Sequence, residues 1–150
     1  MMERLLEKKV CIITGAAQGI GHAIAERFAA DGAVVYACDM KEGTMDSWAA
    51  ECGERNGTKV VPVYFDVTDA AAVKNAFMSA FKAEGRIDVL VNNVYTLNED
   101  LALLALVLAG QDNNLVILLN VHSSVPPLND FGSQGQDLHV FLITQLSGDR

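Results

Sequence analysis

Residues 10 to 21 read Val-Cys-Ile-Ile-Thr-Gly-Ala-Ala-Gln-Gly-Ile-Gly, an apolar run that turns through three glycines into a helical pattern. No other stretch constrains the fold as much. A strand that enters a helix through a glycine-rich turn brings the unpaired N–H groups of the helix N-terminus to the carboxyl end of the strand. In the spacing Thr14-Gly15-x-x-x-Gly19-x-Gly21, Gly15 permits the tight exit from the strand. Gly19 leaves room for backbone to approach phosphate oxygens, and Gly21 lets the helix pack close to the strand it follows. Such a turn is spaced to hold a diphosphate and points to a nucleotide cofactor.

The pattern after the turn alternates. Ile20, Ala23, Ile24 and Phe28 recur at helical spacing up to Asp31-Gly32, and Ala33 to Cys38 reads as a second strand that closes on Asp39. Thr44 to Arg55 reads as a helix stopping at Asn56-Gly57, and Val60 to Phe65 as a third strand. Thr68 is a candidate cap for a third helix with Asp69 in its first turn, a buried stripe of Val73, Ala76, Phe77, Ala80 and Phe81, and an end at Gly85. Ile87 to Val91 makes a fourth strand running into Asn92-Asn93. Alternating strands and helices joined by right-handed crossovers predict an α/β fold, a parallel sheet with helices on both faces. After Tyr95 the signal weakens. Asn98-Glu99-Asp100 can cap a helix over residues 101–109, and residues 115–121 and 138–146 both read as strands. Between those two strands, Pro126-Pro127, Asn129, Asp130, Gly132, Ser133 and Gly135 make a loop composition that disfavours a long helix. The sheet is therefore expected to be truncated or irregular after its fourth strand.

The chain has 150 residues, enough for one domain, and 51% are hydrophobic, ample for a packed core. A formal charge of −8 argues against a nucleic-acid partner, because phosphate neutralisation needs clustered Lys and Arg. The longest wholly apolar run, residues 101–109, is well under the ~18 residues that a spanning helix needs, so no membrane partner is expected. Cys11, Cys38 and Cys52 are odd in number and lack C-x-x-C spacing, which fits a reducing cytoplasm. The three histidines and three cysteines lack metal-ligand spacing, and no metal site is assigned. His22 can touch phosphate or be an ordinary helix residue. His122 beside Ser123-Ser124 is a weak hydrolase signal without a G-x-S-x-G elbow.

The glycine turn, Asp39 at the end of the second strand, Asp66-Val67 after the third and Asn92-Asn93 after the fourth together resemble the ordered landmarks of the short-chain dehydrogenase/reductases. The resemblance covers residues 8–93 well and 94–150 poorly. It implies a single NAD(P)-binding Rossmann-like domain over 1–150 and a cofactor site of Thr14, Gly15, Gln18, Gly19, Ile20, Gly21, Asp39, Asp66, Val67 and Asn92. Asp39 can accept from both adenosine ribose hydroxyls and would repel a 2′-phosphate, which favours NAD over NADP. It can also be a solvated loop acid. Lys41 and the neutral Gln18 neither rescue nor exclude NADP. Asp66 would meet the adenine side, and it can equally open the next helix. Tyr95 stands where the family has a glycine beside the cofactor.

The family's chemistry uses Asn, Ser and a Tyr-x-x-x-Lys pair that exchanges a proton with the substrate oxygen. This chain has only Tyr36, Tyr64 and Tyr95, all too early, and its last lysine is Lys82. Two registers remain for the rest. In one, residues 139–148 are the fifth strand, Asn120 falls near the structural asparagine and Thr144 lies beside the catalytic serine position. In the other, residues 115–124 are that strand, with Ser123 or Ser124 as the serine. The first keeps the family spacing better and makes Asn120 and Thr144 the catalytic candidates. Because a full family domain runs to about 250 residues, the chain is expected to be a truncated, rearranged or shortened member.

The leading expectation is an NAD(P)-dependent oxidoreductase moving hydride between nicotinamide and an alcohol or ketone, in contact with the dinucleotide and a small alcohol or carbonyl substrate. A catalytically inactive dinucleotide-binding module is the alternative. An S-adenosylmethionine methyltransferase fits the glycine spacing and Asn92-Asn93 poorly. A homo-oligomer is compatible with the sequence, and the substrate is not legible in it.

Overall fold

A computed structural model of the chain describes residues 3–94, 116–120 and 140–143. Strands β1 (Val10–Thr14), β2 (Val34–Asp39), β3 (Val60–Tyr64) and β4 (Val89–Asn92) alternate with helices α1 (Gly19–Ala30), α2 (Asp46–Asn56) and α3 (Ala70–Glu84). Two further strands follow, β5 (Val116–Asn120) and β6 (Val140–Ile143). They form one six-stranded sheet in the order β3-β2-β1-β4-β5-β6. The first five strands run parallel, with Ile12 opposite Tyr36 and Leu90, and Asn92 opposite Asn120. This is a Rossmann-type α/β arrangement. Successive strands step outward from β1 through β2 to β3 and then resume on the other side with β4, so the order reverses between β1 and β4. A crevice at the carboxyl ends of the strands opens at such a point.

Both faces of β1, β2 and β4 are covered. Cys11, Ile13, Val35, Ala37, Val89 and Val91 pack with Ala25 and Ala29 of α1 and Cys52 of α2. The alternate residues Val10, Ile12, Tyr36, Cys38 and Leu90 pack with Val73, Phe77 and Ala80 of α3. The stripe expected for α3 is the one that is buried, with Ala76 and Phe81 at its margin. For α1 the helix forms as its spacing predicts, and a different face is buried. Its buried residues are Gly21, Ala25 and Ala29, whereas Ile20 and Ala23 are exposed. Small side chains let this helix lie close to the strands, and the larger Ile24 and Phe28 flank the contact. The cap of α3 is Asp69, whose side chain accepts from the Ala72 N–H at 3.1 Å, and not Thr68. Gly57 and Gly85 end α2 and α3 in the left-handed conformation.

The strand beside β4 is β5, so the register that gave this place to residues 139–148 is overturned. β6 pairs antiparallel on the outer side of β5, with Val116 opposite Ile143. A parallel return needs a crossover, usually helical. The intervening sequence, with Pro126-Pro127, Gly132 and Gly135, disfavours a helix, whereas an antiparallel return needs none. Asn120 thus ends the strand that precedes Ser123 and Ser124. The helix expected over 101–109, together with Tyr95, His122, Ser123, Ser124 and Thr144, lies outside the described residues.

The amino ends of the strands are tied internally. Asp88, 1% exposed, accepts from the Val10 N–H at 2.8 Å and from the Arg86 guanidinium at 2.6 to 3.0 Å. Glu84 at the end of α3 accepts from the Tyr36 hydroxyl at 2.7 Å and pairs with Lys59 at 2.5 Å. Lys59 in turn holds the Glu84 carboxyl below the usual glutamate range. The Thr58 hydroxyl donates to the Ala33 carbonyl at 2.6 Å and Arg4 donates to that of Asn56 at 2.8 Å.

Candidate functional site

At the opposite end of the sheet, a cleft of about 390 Å³ opens over the carboxyl ends of the strands, lined among others by Gly15, Asp39, Met40, Asp66, Val67 and Val94. Its volume suits part of a nucleotide. The glycine turn closes one side. Gly15 (φ 64°) and Gly19 (φ 62°) are left-handed, the conformation glycine adopts without strain. A side chain at Gly21 would bring its Cβ to 2.2 Å from the Gly15 carbonyl oxygen, so this glycine sets how closely α1 approaches the turn. Among the described residues, a Cβ at Gly19 would meet nothing within 4 Å, which marks the open side of the turn.

The turn is held from both flanks. Toward β4, the Thr14 hydroxyl donates to Asn92 Oδ1 at 3.2 Å and accepts from the Asn93 N–H at 3.0 Å. The Asn93 side-chain amide donates to the Gly15 carbonyl at 3.3 Å. Toward β2, the Ala16 N–H donates to the Cys38 carbonyl at 3.0 Å and the Ala17 N–H to Asp39 Oδ2 at 3.1 Å. Thr14 and Asn92 are buried behind the turn, so they brace it against β4. Gln18, Gly19 and Ile20 are exposed at its rim. Gln18 makes no side-chain cap, and the first turn of α1 carries no acidic residue. The positive end of the helix dipole therefore faces outward without an anionic partner in that turn.

Asp66 stands exposed after β3, and its Oδ1 accepts from the Thr68 N–H at 2.9 Å and the Thr68 hydroxyl at 2.7 Å. These bonds hold its carboxyl below the usual aspartate range, so it is anionic at neutral pH. Burial pushes the Cys38 and Cys11 thiols up, Cys11 to about 12, and both are inert neutral groups. On the flank of α1, the rings of His22 and Trp48 lie 4.4 Å apart, and the Trp48 indole donates to Glu26 at 3.1 Å. Among the described residues, no helix is long and apolar enough to cross a membrane.

Gly15, Asp39, Asp66 and Val67 are thus gathered around one cleft, with Gln18, Gly19 and Ile20 beside it. Pattern alone does not single out Met40, nor the contact that Asn93 makes. Met40 is 64% exposed at the cleft, where only its place after the strand-ending acid gives a hint. Asn93 clamps Gly15, a contact between residues 78 apart.

The profile of the short chain dehydrogenase family matches residues 9–125. The chain belongs to this family. The 3-oxoacyl-[acyl-carrier-protein] reductase of Thermotoga maritima is 47% identical over 88 residues, which cover 59% of this family member and 35% of that protein. The 7alpha-hydroxysteroid dehydrogenase of Bacteroides fragilis is 42% identical over 88 residues, 59% of the chain and 34% of its own length. An uncharacterized oxidoreductase of Mycobacterium tuberculosis aligns with 99% of the chain and 57% of itself at 34% identity. The chain spans about a third to just over half the length of these relatives. Among solved structures, L-sorbose reductase from Gluconobacter frateurii complexed with NADPH and L-sorbose superposes with a TM-score of 0.57 at 34% identity, covering 63% of this chain and 36% of that one. An NAD+-bound xylitol dehydrogenase gives 0.57 at 33% identity, covering 61% and 35%.

Proposed function

We propose that the cleft and glycine turn bind a nicotinamide dinucleotide, NAD in preference to NADP. The protein is then an oxidoreductase that moves hydride between this cofactor and a small alcohol or carbonyl compound. The carrying observation is the charge pattern of the site. The uncapped end of α1 attracts an anion, while the Asp39 carboxylate at the neighbouring strand end repels one and accepts from neutral hydroxyls. A diphosphate joined to a ribose diol suits this pattern. A 2′-phosphate would stand against Asp39. Relatives are solved with NADPH and with NAD+, so the preference rests on Asp39 itself.

The backbone around Gly15 and Gly19 would receive the diphosphate, Gln18 and Ile20 would border it, and Asp66 and Val67 would face the adenine. Thr14, Gly21 and Asn92 would hold the turn in shape from behind. When bound, the nicotinamide supplies the hydride-carrying carbon. For the substrate side, the pairing of β5 with β4 and a family match that runs through residue 125 favour Ser123 or Ser124 as the polarising hydroxyl, with Asn120 on the strand leading to it. Thr144, the other candidate, lies beyond the matched residues. The described cysteines are free and buried, which suits a cytoplasmic location.

Calorimetric titration of the chain with NADH and NADPH tests this reading. Binding is the readout of choice, because the 150 residues contain no Tyr-x-x-x-Lys. NADH is expected to bind more tightly. Equal or tighter NADPH binding removes the role given to Asp39, and no binding of either removes the dinucleotide site.

A further inference from the structure

The carboxylate of Asp39 is already engaged by the chain's own backbone. Oδ2 accepts from the Ala17 N–H at 3.1 Å and Oδ1 from the Lys41 N–H at 3.2 Å. Ala17 lies in the middle of the glycine turn. With the neighbouring bond from the Ala16 N–H to the Cys38 carbonyl, two consecutive amides of the turn are held by two consecutive residues of β2. The two bonds differ in strength, since a hydrogen bond to an ionised acceptor is about twice as strong as a neutral one. Beyond Ala17, Gln18 is exposed and makes no cap, and Gly19 faces open space. Among the described residues, the bond to Asp39 is therefore the last fixed point of the turn before α1 begins.

A carboxylate offers about four acceptor positions. Ala17 and Lys41 occupy two, which leaves enough for both hydroxyls of a ribose. Holding the turn and receiving a diol are compatible at the same moment.

We propose that Asp39 is a positioning residue as well as a ribose ligand: through the Ala17 N–H it sets the glycine turn in the shape that receives a diphosphate. This rests on the dinucleotide reading above. Discrimination at the ribose and grip on the phosphates are then coupled through one side chain, and replacing Asp39 to admit a 2′-phosphate also releases the turn.

The probe that separates the two roles is 2′,3′-dideoxy-ADP, which keeps adenine and diphosphate and has no ribose hydroxyls. Its affinity is measured by calorimetry for the wild-type chain, D39N and D39A, with ADP on the wild type as the control. Failure of ADP to bind the wild type removes the dinucleotide reading itself. The two variants carry the same charge, and only D39N retains an acceptor for Ala17. D39A is expected to bind the dideoxy probe about tenfold more weakly than D39N, the size of one lost hydrogen bond. Equal affinities in D39A and D39N overturn the proposal, because a pure ribose ligand predicts them. Amide exchange covers the case in which D39A does not fold. The Ala17 N–H should be protected together with that of Ala16 in wild type and D39N, and free exchange at Ala17 in the folded wild type overturns the proposal.

Discussion

The two ends of the parallel sheet each carry a bonded aspartate, and the surroundings of Asp88 and Asp39 differ. Asp88, at the amino ends, is almost wholly buried, and its oxygens are taken by the Val10 N–H and the Arg86 guanidinium. Asp39, at the carboxyl ends, is half-buried, bonded only to backbone amides in the contacts described above, and borders the open cleft. Around Asp88 the ion pairs Arg86–Asp88 and Lys59–Glu84 close the sheet. Around Asp39, glycines and an uncapped helix end keep it accessible. One end is tied for stability and the other carries the proposed ligand site, and substitutions should separate the two properties.

The largest effect is expected where the two properties meet. Gly21→Ala places a methyl 2.2 Å from the Gly15 oxygen and 2.6 Å from the Asn93 amide, both parts of the turn's bracing. It should destabilise the chain by about 3 kcal/mol in urea unfolding, as overpacking against backbone does. Asp88→Ala comes next. Removing this acceptor strands the Val10 N–H in the interior and should lower stability by about 2 kcal/mol. NADH affinity of the folded fraction should stay within about twofold, since single sites far apart act independently. A large loss of affinity in that variant would break the division between the ends.

Gly19→Ala reverses the pattern. The left-handed backbone makes it unfavourable by about 1 kcal/mol, yet the added methyl meets no atom of the described residues within 4 Å. Its stability loss should be small and its NADH affinity about tenfold lower, because the methyl would occupy the side on which the proposed site receives phosphate. The smallest effect concerns Glu84. Its folded pKa lies below the ordinary 4.5, chiefly through Lys59. The stability it contributes is therefore present above 4.5 and is lost as pH falls through the lower folded value. Glu84→Gln should flatten the wild-type decline in that acid range and leave cofactor affinity at neutral pH unchanged.

The sheet through Asn92 is legible in the sequence because its strands are short apolar runs punctuated by glycines, each backed by a helical period. The packing face of α1 is not, since Gly21, Ala25 and Ala29 are small and give a weaker apolar signal than Ile20, which is exposed at the rim. Thr68 and Asp69 are both good caps, and pattern cannot choose between neighbours. Residues 116–120 and 140–143 are both short apolar segments, and nothing in such a segment states whether it pairs parallel or antiparallel. At the site, the glycine turn at Gly15 and Gly19 and the place of Asp39 at the end of β2 follow from spacing. The bond from Ala17 to Asp39 does not, because it exists only once β2 lies beside β1.

Trp48 is the single tryptophan of the chain, and it lies against His22 on the first turn after the glycines, with its indole N–H on Glu26. An indole so placed is an optical gauge built into the protein. Any ligand that alters the charge or packing of the first turn of α1 changes the surroundings of the one strong emitter, so occupancy can be followed by intrinsic fluorescence with no label attached. Because His22 and Glu26 belong to α1 and Trp48 to α2, the same signal also reports when the two helices part.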